Sequence, residues 1–338
     1  MGCHLNIGKE SRCAVIGHGS WATAIVKVLT MNEMSVGWFV HNAEVFESLQ
    51  NEGRNCRYLS DVEFEMSRIL LSNDINEVVD NSDFIILVTP AAYLKGCLSG
   101  LHVSLKDKVV VSAIKGIIPD ENMFVTDYLK QHYGLSGGQV CFISGPTHAE
   151  EVGHNRLTYL TIASSNIAKA RAVGKKLETP FLKVSYVRNM RFLERAAVLK
   201  NIYAVMVGMA VGLGYGDNFI SVLVANCIKE MYFLLDPHSI NDLTRITPSN
   251  FFGDLLVSCY SSHSRNRQLG MLIGRGNTVK TALNEMTMVA EGYFASAMMP
   301  YLPEEQRKQL PIAMAAYQVL HQNLPARKAM KKLEELLV

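Results

Sequence analysis

The chain has 338 residues, a formal net charge of +2 and 49% hydrophobic residues. Because this length is about twice that of an ordinary domain, we expect two domains. The small net charge, without a continuous stripe of Lys and Arg, argues against nucleic-acid binding. No apolar run reaches the length of a membrane-spanning helix, so we expect a cytoplasmic protein without membrane insertion.

Neither the seven cysteines nor the ten histidines follow a metal-binding pattern. The sequence contains no Cys-x-x-Cys pair and no His-x-x-x-His spacing, which structural and catalytic zinc sites commonly use. Several cysteines lie inside apolar runs, as expected for reduced core residues in the cytosol. We therefore predict no metal.

The first predicted element is a buried strand that leads through a glycine turn into a helix. Gly17 allows the tight turn, Gly19 lets the backbone approach a pyrophosphate, and the small Ala22 lets the helix pack on the strand. The N–H groups at the start of such a helix attract phosphate without a basic side chain. These residues favour dinucleotide binding, and a glycine turn that holds no ligand is the alternative.

Strand and helix patterns alternate up to about residue 188. This alternation predicts an α/β fold over 1–190, a Rossmann-like domain with a mostly parallel sheet covered on both faces. The predicted strands are Cys13–Ile16, Val36–Val40, Ile69–Leu71, Phe84–Val88, Val109–Ala113, Val140–Ile143, Tyr159–Ala163 and Leu182–Tyr186. The predicted helices between them include Trp21–Met31, Ala43–Asn51, Met123–Gln131 and Ile167–Leu177.

Long helical periodicities replace the strand pattern in the second half of the chain. They predict helices over Phe192–Met209, Phe219–Leu235 and Pro311–His321. The sequence therefore predicts an all-α domain over 191–338, to which the candidate residues described below assign the substrate and catalytic role.

Polar residues follow two neighbouring strands of the predicted sheet. Lys115 comes after the fifth predicted strand, and Gly145 and Thr147 come after the sixth. Ligands of an open parallel sheet collect beyond the carboxyl ends of its strands. An ammonium group, backbone N–H groups and a hydroxyl there favour an anionic substrate. A Lys115 side chain that reaches solvent is the alternative.

Two stretches of the second half also carry candidate chemistry. Lys200 lies within an apolar helical pattern, where a charged ammonium group is costly to bury and suited to proton transfer. Arg265 and Asn266 follow Ser264, and a guanidinium can bind a phosphate through two parallel hydrogen bonds. The alternatives are a lysine that reaches solvent at a domain interface and a solvated basic turn.

Seven short segments occur in the order typical of one enzyme family. Through them the chain resembles the bacterial NAD(P)-dependent glycerol-3-phosphate dehydrogenase family along nearly its whole length. The segments are Gly17-His18-Gly19-Ser20-Trp21, Lys115-Gly116, Ser144-Gly145-Pro146-Thr147, Leu199-Lys200-Asn201, Gly253-Asp254-Leu255, Ser264-Arg265-Asn266-Arg267 and Glu291-Gly292-Tyr293.

The resemblance implies hydride transfer between NAD(P)H and dihydroxyacetone phosphate, giving sn-glycerol 3-phosphate for glycerophospholipid synthesis. It makes Lys200 the proton donor and acceptor, and it is compatible with a homodimer. The implied substrate contacts are Lys115, Gly145, Thr147, Asp254, Ser264, Arg265 and Asn266. Together with the glycine turn, the implied cofactor contacts are Gly17, Gly19, Ser20, Trp21, His41, Lys115, Ala149, Arg265, Val289 and Glu291.

Four departures from the common family pattern leave these residues intact. Ala22 replaces a glycine, His148 an aromatic Phe and Glu150 a frequent Lys, and the run 249–252 replaces small residues. They bear on the nicotinamide pocket and on the loop before Asp254.

The end of the second predicted strand bears on the choice of cofactor. NAD-specific sheets place an acidic residue about 20 positions after the glycine turn, where it binds the ribose 2′-hydroxyl. Here the strand ends in His41-Asn42, and the first carboxylate is Glu44 in the next helix. Imidazole and amide groups can both donate to a 2′-phosphate. We therefore predict a modest preference for NADPH, and two water-facing side chains are the alternative.

Two other functions fit parts of the sequence. In a hydroxy-acid dehydrogenase with a similar Lys-Asn helix, Arg265 would bind a carboxylate. A non-catalytic NAD(P)-binding sensor would need only the first domain, so the presence of Lys200, Asp254 and Arg265 together argues against it.

Overall fold

The computed structural model describes residues 7–8, 10–235 and 249–337. These residues divide into two compact units. The first unit contains the residues up to Ile114 together with Met123–Leu193, and the second contains Lys115–Asn122 together with the residues from Glu194 onward. The sequence boundary near residue 190 stays a prediction.

The first unit is built on an eight-stranded sheet in the order β10-β9-β8-β5-β4-β1-β2-β3. Its strands are β1 Cys13–Ile16, β2 Val36–Phe39, β3 Ile69–Ser72, β4 Phe84–Leu87, β5 Val109–Ser112, β8 Val140–Ser144, β9 Thr158–Ala163 and β10 Leu182–Val187. Two short strands, β6 Ile117–Ile118 and β7 Met123–Phe124, lie outside this sheet. All neighbours in the sheet are parallel except β8 and β9.

Every residue of the central strands β1, β4, β5 and β8 is buried, so both faces of the sheet are covered there. Strands buried on both faces are continuous apolar runs, which is why the sequence located them within one or two residues. The predicted α/β fold class with a Rossmann-like, mostly parallel sheet and a helical C-terminal part is confirmed.

The helices of the first unit agree with the sequence where they are long. They are α1 Ser20–Met31, α2 Ala43–Glu52, α3 Ile75–Asp80, α4 Ala91–Leu98, α5 Val125–Tyr133, α6 Ala149–Gly153 and α7 Ile167–Leu177. The predicted helix Met123–Gln131 begins two residues later, because Met123 and Phe124 are extended. The short helices α3 and α4 were not predicted, since fewer than nine residues give little periodicity.

The second unit is helical. Its helices are α8 Met190–Gly212, which begins in the first unit, α9 Asp217–Leu235, α10 Asp254–Tyr260, α11 Arg265–Gly274, α12 Val279–Glu285, α13 Glu291–Ser296, α14 Glu304–Lys308, α15 Pro311–Gln322 and α16 Ala326–Leu336. A π-helical turn over Ser249–Gly253 precedes α10. The sequence predicted α8, α9 and α15, and it missed the shorter helices and α16.

Helices α8 and α11 touch backbone to backbone through glycines. A methyl group added at Gly208 would collide with the Arg267 carbonyl oxygen, and one added at Gly270 would collide with that of Val205. Gly212 and Gly274 meet at the same contact, where each would carry its Cβ about 3 Å from the other's Cα. Small residues four apart on both helices allow this close approach. The packing fixes α11 beside the C-terminal part of α8.

Helix α8 contradicts the prediction that no apolar run is long enough to span a membrane. Met190–Gly212 is long and apolar enough to cross a membrane by length and composition, although 83% of its most apolar window is buried in the protein. A mostly buried helix of this kind is also what the core of a soluble protein contains.

Candidate active site

A buried carboxylate joins two lysines in the second unit. Asp254, the first residue of α10, accepts hydrogen bonds from Lys200 Nζ at 2.5 Å and from Lys115 Nζ at 3.0 Å. Each ammonium uses a different carboxylate oxygen, and the side chain of Asp254 is only 2% exposed. Residues far apart in the sequence therefore form one compact charged cluster, which we call the lysine–aspartate cluster.

Ser258 completes this cluster. Lys200 Nζ donates to Ser258 Oγ at 2.8 Å, and Ser258 Oγ in turn donates to the Asp254 carbonyl oxygen at 2.7 Å. Sequence reasoning missed Ser258, although it lies four residues after Asp254 and so on the same face of a helix. The serine and the carboxylate together fix the direction of the Lys200 side chain.

Burial and charge act in opposite directions on the cluster. Burial alone would raise the pKa of Asp254, but the ammonium groups of Lys115 and Lys200 together hold that pKa below its usual range. Burial lowers the pKa of Lys115 to about 8; Asp254 opposes this shift and the charge of Lys200 adds to it. Lys115 can therefore change protonation state close to neutral pH.

A chain of side-chain amides links three elements around the lysines. Asn201 Nδ2 donates to the Lys115 carbonyl oxygen at 2.7 Å, and Asn266 Nδ2 donates to Asn201 Oδ1 at 2.9 Å. The Gly292 N–H then donates to Asn266 Oδ1 at 2.8 Å. A side chain at Gly292 would collide with the Asn201 carbonyl oxygen, so this contact requires glycine. Asn201 is a second residue whose role the sequence did not reveal.

The predicted phosphate-binding residues lie at the start of α11. Ser264 caps the helix, and its Oγ accepts a hydrogen bond from the Arg267 N–H at 3.3 Å. The Ser264 hydroxyl keeps its own hydrogen to donate. Arg265 and Asn266 are the first two helical residues, and both are half-buried. Anions favour such a helix start because the macrodipole and the guanidinium act in the same direction.

The glycine turn of the first unit has the backbone that a dinucleotide requires. Gly17 has φ +132°, and a Cβ there would lie 3.0 Å from the Val88 carbonyl oxygen. A Cβ at Gly19 would point into open space, and α1 then begins at Ser20 without a side-chain cap or an acidic residue in its first turn. The start of α1 is thus open to an anionic group, which fits the pyrophosphate of a dinucleotide.

Comparisons with known proteins agree with this arrangement. The family profile described as "NAD-dependent glycerol-3-phosphate dehydrogenase N-terminus" matches residues 12–170, and the corresponding C-terminus profile matches residues 190–331. The chain belongs to this family.

Two bacterial relatives are both named glycerol-3-phosphate dehydrogenase [NAD(P)+]. The protein from Chlorobium phaeobacteroides is 32% identical over 94% of this chain and 95% of its own. That from Staphylococcus haemolyticus is 31% identical over 96% of this chain and 97% of its own. The predicted enzyme class, an NAD(P)-dependent oxidoreductase of the glycerol-3-phosphate dehydrogenase family, is confirmed.

Solved structures show the same fold. The glycerol-3-phosphate dehydrogenase of Coxiella burnetii superimposes with a TM-score of 0.86 at 24% identity, covering 96% of this chain and 99% of that one. The enzyme from Plasmodium falciparum gives a TM-score of 0.82 at 20% identity, covering 97% of this chain and 96% of that one.

The remaining family positions in the first unit surround the glycine turn and the strand ends. Ser20 and Ala149 are buried at the starts of α1 and α6, whereas Trp21 is half-buried. Gly145 has φ +122° and a carbonyl oxygen that accepts from Thr147 Oγ1 at 3.2 Å. In the second unit, Val289 and Glu291 are half-buried near the start of α13. Their roles as family ligand positions stay predictions.

At the end of β2, Asn42 has a structural role that the sequence did not reveal. Asn42, expected to face the ribose, caps α2, because its Oδ1 accepts a hydrogen bond from the Val45 N–H at 3.0 Å. Its amide nitrogen alone is left for a ligand. His41 is exposed and stacks on Phe39, with ring centroids 6.5 Å apart.

Within the described ranges, no group of three or more His, Cys, Asp or Glu side chains is arranged to hold a metal ion. The predicted absence of a metal stays a prediction.

Proposed function

We propose that this enzyme reduces dihydroxyacetone phosphate to sn-glycerol 3-phosphate, with Lys200 as the proton donor and, in the reverse direction, the acceptor. The reduced nicotinamide, when bound, supplies the hydride that carbon 2 receives. As that hydride adds, negative charge develops on the carbonyl oxygen, and the Lys200 ammonium transfers a proton to it. The observation that carries the proposal is the hydrogen bond of Lys200 Nζ to Asp254, beside Ser258.

Lys115 and Asp254 adjust this proton transfer. Asp254 orients both lysines, since each bonds a separate carboxylate oxygen. The second ammonium, on Lys115, stabilises negative charge as it appears on the substrate oxygen.

The non-reacting end of the substrate provides binding energy. Arg265, Asn266 and Ser264 bind the phosphate, with Gly145 and Thr147 as further substrate contacts, so that the carbonyl is held in position for reaction. Support comes from the basic start of α11 and from the amide chain that ties Asn266 to Asn201. In a hydroxy-acid dehydrogenase the same arginine would bind a carboxylate.

Cofactor preference, location and cellular role belong to the same proposal. The enzyme prefers NADPH modestly, because no acidic residue comes directly after β2 and the first carboxylate, Glu44, lies inside α2. It acts in the cytoplasm without inserting into a membrane, as a possible homodimer, and its product enters glycerophospholipid synthesis. The first domain, near 1–190, holds the dinucleotide, and the second, near 191–338, carries the catalytic lysine.

Lys200→Met tests the proton-transfer role. Methionine keeps the apolar length but carries no proton, so we expect kcat to fall by roughly 10²- to 10⁴-fold while the affinity for NADPH, measured by fluorescence titration, changes little. Lys229→Met, at an exposed position of α9, is the matched control and should leave kcat unchanged. Turnover of the Lys200 variant within a few-fold of the parent would remove Lys200 from the mechanism.

Substrate choice separates the rival functions. NADPH oxidation is followed with dihydroxyacetone phosphate, with dihydroxyacetone and with keto acids. We expect turnover with the phosphorylated substrate and little with the others. Turnover of keto acids would indicate a hydroxy-acid dehydrogenase, and no turnover of any of them would indicate a non-catalytic protein.

A further inference from the structure

A basic turn lies beside the glycine turn of the first unit. Asn55, which is fully buried, holds it there: its Nδ2 donates to the His18 carbonyl oxygen at 2.9 Å and to Thr23 Oγ1 at 2.8 Å. Its Oδ1 accepts from the backbone N–H groups of Arg57 at 3.1 Å and Tyr58 at 3.2 Å. Both atoms of one buried amide therefore fix the position of Arg57 relative to the nucleotide loop.

Three basic side chains, those of His18, His41 and Arg57, lie near this turn. Burial lowers the pKa of His18, and the neighbouring His41 and Arg57 side chains lower it further. His18 lies in the glycine turn and His41 follows β2, which are the two backbone segments that border a bound ribose in this type of fold.

Arg57 is paired with a carboxylate at the same end of the sheet. Its Nε donates to Glu44 Oε2 at 2.8 Å, and its Nη2 bonds the same oxygen. Both side chains are half or more exposed, at 50% and 59%. An ion pair this exposed contributes little to stability, so a stronger anion can replace the carboxylate at small cost.

We propose that Arg57 is the specificity-determining residue for the 2′-phosphate of NADPH, and that Glu44 is the counter-ion which that phosphate displaces. This inference rests on the proposed NADPH preference and names the group that produces it. A guanidinium presents a fork of donors that matches a phosphate, which compensates for the absence of an arginine directly after β2. Asn42 keeps its amide nitrogen as a further donor, because α2 uses only its Oδ1.

Direct binding of two fragments to the full-length enzyme tests the proposal. Adenosine 2′,5′-bisphosphate carries the 2′-phosphate and adenosine 5′-monophosphate lacks it, and calorimetry gives the affinity ratio of the two. We expect the parent to favour the bisphosphate. Arg57→Ala should reduce the ratio by about tenfold, the scale of one charge-assisted hydrogen bond. Glu44→Gln should raise the ratio, because it removes the competing carboxylate.

Arg54→Ala is the matched control. Arg54 lies three residues before Arg57 and forms a similar exposed ion pair, with Glu63. Its ratio should equal that of the parent. If the parent favours the bisphosphate and Arg57→Ala keeps the parental ratio, the role of Arg57 is refuted while the NADPH preference stands. If the parent binds both fragments equally, the NADPH preference itself fails, and the role of Arg57 with it.

Discussion

Asp254 and Glu230 are buried carboxylates of the second unit, and their surroundings have opposite effects on their pKa values. Asp254 lies between two ammonium groups, and its pKa is below the usual range despite burial. Glu230, on α9, accepts hydrogen bonds from the backbone N–H groups of Ile312 at 2.6 Å and Ala313 at 3.1 Å. Burial raises the pKa of Glu230 to about 7, because these bonds and the nearby Tyr203 hydroxyl compensate burial only in part.

The difference shows that burial alone does not decide the charge of a carboxylate. Both residues are withdrawn from water to a similar degree, with 1% of Asp254 and 4% of Glu230 exposed. Asp254 stays ionised because two cations share it, and it serves to orient lysines. Glu230 caps the start of α15, where backbone N–H groups offer it only partial positive charges. It can therefore take up a proton near neutral pH.

The largest expected effect comes from removing the carboxylate that two lysines share. Asp254→Asn leaves the buried Lys200 ammonium and the half-buried Lys115 ammonium without their shared counter-ion. We expect the free energy of unfolding to fall by roughly 3 kcal/mol. Glu230→Gln keeps an acceptor for the α15 backbone and should change stability at pH 7 by about 1 kcal/mol or less. Urea unfolding of both variants at pH 7 compares them. Equal losses would mean that the lysines do not depend on Asp254.

The pH dependence of stability tests the state of Glu230. Since its folded pKa, about 7, exceeds the ordinary value of 4.5, the folded protein binds more protons than the unfolded chain between these values. Stability from this group should therefore fall as pH rises from about 4.5 to about 7, by roughly 1–3 kcal/mol.

Glu230→Gln should remove this slope, and Glu335→Gln, at an exposed position of α16, should keep it. The measurement is the midpoint of urea unfolding at several pH values. An identical slope in the parent and in Glu230→Gln would show that Glu230 is ionised throughout.

Lys115 gives the smallest expected effect and the opposite sign. Its folded pKa, about 8, lies below the ordinary lysine value of 10.5, so the unfolded chain binds more protons between these values. Stability should rise by about 1 kcal/mol as pH increases from about 8 to about 10, less than the full shift implies, because the Lys115 side chain is 17% exposed and solvent screens its charge. Lys115→Met should abolish the rise in unfolding midpoints over that range. If the stability of the parent enzyme does not change over this pH range, the Lys115 ammonium is better solvated than its lowered pKa implies.

Sequence patterns located the elements that have strong local signals. The central strands are continuous apolar runs, and the long helices α1, α7 and α9 have clear periodicity, so their bounds were predicted within two residues. Helices of five to seven residues such as α12 and α14 give too little periodicity to be recognised. Met123 and Phe124 look helical in sequence but are extended, because local pattern does not fix where a helix begins.

By itself, the sequence determined the glycine turn, the alternation of strands and helices, and the identity of Lys115, Lys200 and Asp254 as candidates, since these follow from local backbone requirements and short motifs. Only the tertiary structure decided that Asp254 binds both lysines, that Ser258 supports Lys200, and that Glu230 caps a helix 82 residues away in the chain. The physical reason is that the charge state of a buried group depends on the neighbours that folding brings to it. Those neighbours come from distant parts of the chain, and no local pattern records them.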